Sequence, residues 1–230
     1  KSAWYVLLHV RDGSTYNDFT RQTHRNANIN DYIISIESII KKGGYVIRVG
    51  DSNMPKLPKI KNLIDYAHSK YKSQKMDIFL AATCKFLIGT SSGFWALNHM
   101  FGTPVLMTNC LFTHNYFALN NTDLYLPRIL KNTDGKVKDF STHFDLPNSI
   151  ALSDVEGNLK QKGLFWENNN ELDILNAVDE MCNRVIYKKI SKNLNLERDY
   201  KAKIKQLSIK YNNTELNPLA DIPEFFLQKF

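Results

Sequence analysis

Residues 85–108 read KFLIGTSSGFWALNHMFGTPVLMT, and the punctuation of this stretch decides the fold. Phe86, Leu87 and Ile88 form an apolar run too short for a helix, and it runs into Gly89, Thr90, Ser91, Ser92 and Gly93, a cluster of turn formers. Residues 94–101 then predict a helix stopped by Gly102, and residues 104–108 (PVLMT) predict a second strand. A strand, helix, strand unit of this kind implies parallel strands joined by a right-handed crossover.

The same alternation extends upstream. Residues 4–10 (WYVLLHV) predict a buried strand, and residues 45–49 (YVIRV) another. Between them Ile29, Ile33, Ile36, Ile39 and Ile40 recur at helical spacing until Gly43 and Gly44 stop the helix. A polar stretch over 14–28 reads as too rich in Asn, Thr and Arg to pack. The Pro-punctuated segment 54–61 predicts a loop, 63–67 a short strand and 75–84 a helix. The expected fold class is therefore α/β, a Rossmann-like doubly wound parallel sheet.

Beyond Asn109 the pattern loosens, and no element is assigned between 111 and 148. Helices are expected over 170–188, with Leu172, Leu175, Val178, Met181, Cys182 and Val185 as the buried face, and over about 194–211. A short apolar helix is expected over 223–230. The domain division read from this pattern is a Rossmann-like domain over 1–188 and a helical C-terminal extension over 189–230 packed on it; the resemblance described below implies that the first of these binds a nucleotide sugar.

With 230 residues the chain can bury a sizeable core without staples. Cys84, Cys110 and Cys182 are odd in number and each lies in an apolar stretch, so they read as reduced core thiols. No run approaches the ~20 apolar residues of a membrane helix and no signal peptide is visible, so a cytoplasmic location is expected. The chain begins almost directly in a strand and without Met, which reads as an excised domain. The net charge of +7 favours anionic partners. Much of the excess lies late, in Arg184, Lys188, Lys189, Lys192, Arg198, Lys201, Lys203, Lys205 and Lys210. The plain reading is a solvated face; the functional one is peripheral contact with the inner face of a membrane. Nucleic acid is not expected, because these cations lack interleaved aromatics and a recognised motif.

In an open α/β sheet ligands bind outside the carboxyl ends of the strands. His9 and Arg11 end the first strand two residues apart and so share a face, and the guanidinium fork of Arg11 suits a phosphate. The turn at 89–93 precedes a helix, where backbone N–H groups with Thr90, Ser91 and Ser92 form an anion site; the plain alternative is a tight turn with a serine cap. Asp77, on the helix before that turn, suits a base amine or ribose hydroxyl, or serves merely as a first-turn helix acid. Asp12, Asp51 and Asp65 each follow a strand and are candidate bases toward a hydroxyl acceptor, Asp12 first; turn-forming Asp is the alternative for all three. Residues 89–93 also match G-x-S-x-G, in which Ser91 would be a nucleophile completed by His143 with Asp139 or Asp145; only Asp139 precedes His143 in the required order. No Asp-x-Asp pair and no zinc-like spacing is present, so no metal or other cofactor is expected.

Taken in order, HVRDG at 9–13, GGYVIRVGD at 43–51, MDIFLAATCKFLIGTSSGFWAL at 76–97 and FGTPVLMTN at 101–109 resemble bacterial glycosyltransferases of surface-polysaccharide gene clusters, and more distantly the GT-B fucosyltransferases that use GDP-fucose. The resemblance covers residues 4–110 and, weakly, 163–181. It implies that Arg11 meets the diphosphate of a nucleotide sugar with His9 shaping the site, that Asp77 reads the base, and that Ser91 and Ser92 hold phosphate. It implies a GT-B C-terminal half whose N-terminal acceptor domain is missing, with a glycan or lipid-linked acceptor and no obligatory metal. The Arg-Asp-Gly after His9-Val10 departs from the basic or Gly-Asp residues often found there, so the donor need not be GDP-fucose.

Overall fold

The computed structural model describes residues 3–14, 23–111, 119–139, 142, 155–189, 194–212 and 218–229. Its centre is a six-stranded, all-parallel sheet in the order β3-β2-β1-β4-β5-β6, comprising β1 (Tyr5–His9), β2 (Tyr45–Arg48), β3 (Leu63–Asp65), β4 (Leu87–Gly89), β5 (Val105–Cys110) and β6 (Leu124–Pro127). This is a Rossmann-like strand order, and it reverses between β1 and β4. Strands β4, β5 and β6 are buried along their whole length, as expected of parallel strands covered on both faces, whereas β3 at one edge is only half covered.

Helix α1 (Ile33–Lys41) joins β1 to β2, α2 (Gln74–Thr83) joins β3 to β4, and α3 (Phe94–Met100) joins β4 to β5. Ile36 and Ile39 of α1 are buried, and Gly43 takes φ +88° at the helix end, where its N–H donates to the Ile40 carbonyl. Ser73 caps α2 by accepting from Met76 N. Helix α2 packs on α3, while α1 packs on α5 (Glu171–Val185), joined there by Ser38 and Lys42 at Asp179 (2.8 and 2.7 Å). The sheet is thus sandwiched between helices.

The region past Asn109 that gave no elements in the sequence holds β6 and a separate antiparallel pair, β7 (Ile129–Asn132) with β8 (Leu164–Glu167), with α4 (Val155–Gln161) between them in the chain. The face of α5 is also corrected. Leu172 is 64% exposed, while Asp173 and Ile174 are buried, because Lys229 Nζ reaches Asp173 at 2.6 Å and lets a carboxylate occupy the inner stripe. Two buried asparagines join the main sheet to the β8–α5 junction: Asn109 N donates to Asn169 Oδ1 (2.6 Å) and Asn169 N to Asn109 Oδ1 (2.7 Å).

The C-terminal residues share the main core. Tyr200 and Ile204 of α6 (Leu194–Asn212), with Phe226 and Leu227 of α7 (Glu224–Leu227), belong to the same apolar cluster as the sheet. Asp221 pairs through its backbone with the edge of β6, donating to the Asp123 carbonyl and accepting from Tyr125 N (2.8 Å), so that edge is covered. The basic residues here are not uniformly solvated: Arg184 and Lys201 are paired with Asp221, while Arg198 is exposed. All three cysteines are buried thiols, and burial pushes each up to about 12. Among the described residues no helix is long and apolar enough to cross a membrane.

Candidate functional site

The reversal of strand order places the carboxyl ends of β1 and β4 side by side, with His9 opposite Gly89. Thr90 N donates to the His9 carbonyl (3.2 Å), and Arg11 N donates to Thr90 Oγ1 (3.0 Å). Thr90 is fully buried, so its hydroxyl ties the two strand ends together instead of facing solvent. Above this junction lies a cavity of about 850 Å³ lined by His9, Arg11, Arg25, Asp77, Ser92 and Phe94, with Met54, Gln74, Ile78, Gly93 and Leu97 completing the wall. Its size lies in the ordinary range for small-molecule sites.

Two guanidinium groups face this cavity. The Arg11 side chain is buried and donates to Asn26 Oδ1. Arg25 Nε donates to the Ser91 carbonyl at 2.7 Å, which fixes Arg25 against the turn after β4. The acid among the lining residues is Asp77, whose Oδ2 lies 3.7 Å from Lys72 Nζ, and its Oδ1 is buried with no partner among the described residues. Among the described residues, two arginines against one partly neutralised carboxylate give the cavity a positive field suited to an anion. Helix α3 has only seven residues, and its N-cap, Gly93, offers no side chain. Charge stabilisation therefore rests on the two arginines more than on the helix dipole.

His9 stacks on Phe94 (ring centroids 5.4 Å apart, interplanar angle 5°), and its Nδ1 lies 3.0 Å from Ser92 Oγ. Burial pushes His9 down to about 4, with neighbouring Arg48 and Arg11 acting in the same direction. The ring is thus neutral at pH 7 and orients Ser92 without adding charge. Because the folded protein binds this proton less readily than the unfolded chain, stability is full above about pH 6.5 and falls as pH drops toward 4. Between pH 8 and pH 5 the loss should be about 2 kcal/mol. Urea titrations at the two pH values should show His9→Asn nearly free of that difference, and an unchanged difference would remove His9 as its source.

The loop after β2 forms another wall. Gly50 has φ +140°, and a Cβ there would meet Met54 Sδ at 2.4 Å, so only glycine lets Met54 fold back toward His9. Arg48 Nη1 bonds to Asp65 Oδ1 (3.0 Å) and Nη2 donates to the Pro55 carbonyl, while Asp65 Oδ2 accepts from Leu57 N (3.1 Å). His68 Nε2 lies 2.9 Å from the Met54 carbonyl. This network holds the segment that brings Met54 to the cavity.

Of the residues singled out from sequence, His9, Arg11, Asp77 and Ser92 come together on one cavity. Thr90 is a strand-end tie. Ser91 presents its carbonyl to Arg25 and is not among the lining residues. Asp12 accepts from Ser14 N (3.0 Å) and Ser14 Oγ (2.7 Å), which makes it a turn former outside the lining. Asp51 likewise accepts from Asn53 N, and Asp65 serves Arg48. For the nucleophile reading of Ser91, Asp139 pairs with Lys203 at 2.9 Å, and His143 and Asp145 lie outside the described residues. The histidine that meets this turn is His9, at Ser92.

Sequence reasoning missed Arg25. The composition of 14–28 predicts a segment too polar to pack, yet Thr23–Arg25 forms a 3-10 turn with His24 buried, and Ala27 joins the core; residues 15–22 lie outside the described residues. The available signal was positional: a chain segment leaving the carboxyl end of β1 must cross the crevice where ligands bind. Among the described residues no group of three or more His, Cys, Asp or Glu side chains could hold a metal ion. Comparisons of the chain with protein-family models, with curated proteins and with solved structures gave no match in any of the three.

Proposed function

We propose that the cavity binds the diphosphate of a nucleotide sugar and that the chain is the donor-binding part of a GT-B-type glycosyltransferase. The reaction is transfer of the sugar to a hydroxyl of a glycan or lipid-linked acceptor, in surface polysaccharide synthesis, with a separate acceptor domain as partner. The observation that carries this reading is the convergence of Arg11, Arg25 and Ser92 on one cavity at the sheet's point of reversal. As the sugar leaves, negative charge grows on the diphosphate, and two fixed guanidinium groups stabilise that charge without reorganising. On this reading Asp77, a carboxylate of the cavity lining, accepts from the base or ribose.

A second reading, a nucleotide- or anion-binding module without turnover, draws on Asp12 being engaged by Ser14, which leaves Asp77 as the carboxylate among the lining residues. One experiment addresses both readings. A thermal-shift panel of UDP, GDP, CDP and ADP should show one diphosphate stabilising the protein by about 2.7 kcal/mol at a hundredfold excess over its Kd. That corresponds to a rise in Tm of roughly 5–10 °C for a chain of this size. Release of the same diphosphate from its sugar conjugate, supplied with acceptor and acceptor domain, would favour the transferase; binding without release would favour the module. No stabilisation by any of the four would end both.

A further inference from the structure

The 3-10 turn that carries Arg25 has a second side. Thr23 and Asn26 line another cavity of about 480 Å³, closed by Arg128 at the exit of β6, Lys160 on α4, and Phe165 and Trp166 on β8. None of the sequence motifs uses this space, and no residue of the proposed diphosphate site other than their shared turn borders it.

Its chemistry is specific. Arg128 is 5% exposed, and its Nη2 donates to the Asn26 carbonyl at 2.6 Å, so the guanidinium is held in place at the cavity wall. Lys160 adds a second cation from the exposed surface of α4, and the described lining contains no acidic residue. The nearest acid in β8, Glu167, is engaged by Lys131 at 2.7 Å. A buried guanidinium in a cleft whose described lining carries one charge sign draws an anion, and partial desolvation strengthens the attraction. The indole of Trp166 packs against the small apolar cluster of Leu111, Leu130 and Leu159, opposite Leu130 in the β7–β8 register, which holds this aromatic ring in the cavity lining. Thr23, Thr133 and Asn168 supply hydroxyl and amide groups around that ring. A flat aromatic surface ringed by hydrogen-bonding side chains fits a ligand with both an apolar face and hydroxyl groups.

We propose that this second cavity is a binding site for an acidic sugar, a hydroxylated ring that carries a carboxylate or a phosphate. Arg128 and Lys160 meet the charged group, Trp166 meets the ring face, and Thr133 and Asn168 meet its hydroxyls. The assignment stands independently of the diphosphate reading, because the two cavities share only the 23–26 turn.

The test uses the indole N–H signals of the ¹⁵N-labelled protein, which has three tryptophans, Trp4, Trp95 and Trp166; Trp166→Phe assigns the third. Glucuronate and glucose 6-phosphate are titrated beside glucose and inorganic phosphate. At least one charged sugar should shift the Trp166 signal saturably, with affinity about tenfold above both glucose and inorganic phosphate. Whichever charged sugar binds more tightly identifies the charged group. Lys160→Glu, at an exposed position, should lower that affinity by about tenfold while the Trp4 signal keeps its place. Arg128→Gln should abolish the shift; where that variant loses signal dispersion, the Lys160 variant decides. A silent Trp166 signal, equal binding of glucose, equal binding of inorganic phosphate, or an unaffected Lys160→Glu variant would each overturn the proposal.

Discussion

Replacement of Arg11 by alanine should weaken binding of the preferred nucleoside diphosphate by about 2–3 kcal/mol, a loss of roughly 30- to 150-fold in Kd. The size follows from position. The guanidinium is buried at the floor of the cavity and charge-assisted bonds to phosphate in such surroundings are among the strong ones. Arg11→Lys should recover only part of the loss, since a single ammonium cannot present two parallel donors. Arg25→Ala should cost less, because its Nε is committed to the Ser91 carbonyl and fewer donors remain for the ligand. The Arg11 backbone bond to Thr90 survives all three substitutions, so the junction of β1 and β4 should stay intact. Isothermal titration of wild type and the three variants reads these differences directly. An Arg11→Ala affinity within twofold of wild type would detach the diphosphate from this end of the sheet.

Why Arg11 was legible in the sequence and Arg25 was not has a physical explanation. Strands β1, β2, β4 and β5 are short apolar runs punctuated by glycine, and parallel strands in the middle of a covered sheet write that signature plainly. A residue two past such a strand is therefore placed at the crevice by counting alone. Arg25 stands in a polar segment whose order comes from tertiary bonds, its own to Ser91 and that of Ala27 N to the Arg11 carbonyl, and no local pattern records those. The strands past Asn109 were hidden differently. Leu124–Pro127 and Ile129–Asn132 are separated by Arg128 alone, without a turn former, so two strands of different sheets read as one irregular stretch. Strand β8, LFWE, is only partly covered, and its partner lies far back in the chain. Thr90 and Asp173 share one lesson: a periodic or turn pattern says which side chains cluster, but the partner that arrives from elsewhere, Arg11 N in one case and Lys229 in the other, decides their role.

The C-terminal segment should prove inseparable from the sheet, and Asp221 is where that dependence is concentrated. Its carboxylate is buried, accepts from Arg184 Nη1, and takes Lys201 Nζ at 2.9 Å, while its backbone extends the β6 edge. Lys201 is half-buried, and burial alone would lower its pKa; Glu197 and Asp221 outweigh that and hold it above its ordinary value. Arg184 also reaches Glu180, whose carboxyl burial pushes up against the opposing pull of that guanidinium. Removing the Asp221 carboxylate leaves Arg184 with Glu180 and Lys201 with Glu197 as their acids among the described residues. Breaking a buried pair from one side in this way costs about 3–5 kcal/mol. Asp221→Ala should accordingly lower the urea midpoint by that stability divided by the m-value, with the m-value itself unchanged if the whole chain still unfolds as one unit. Asp221→Asn should lose less, because an amide oxygen still accepts from one of the two donors. A shift below 1 kcal/mol on Asp221→Ala would show that the cations relax into solvent and that the apolar contacts of Phe226 and Leu227 hold the segment by themselves.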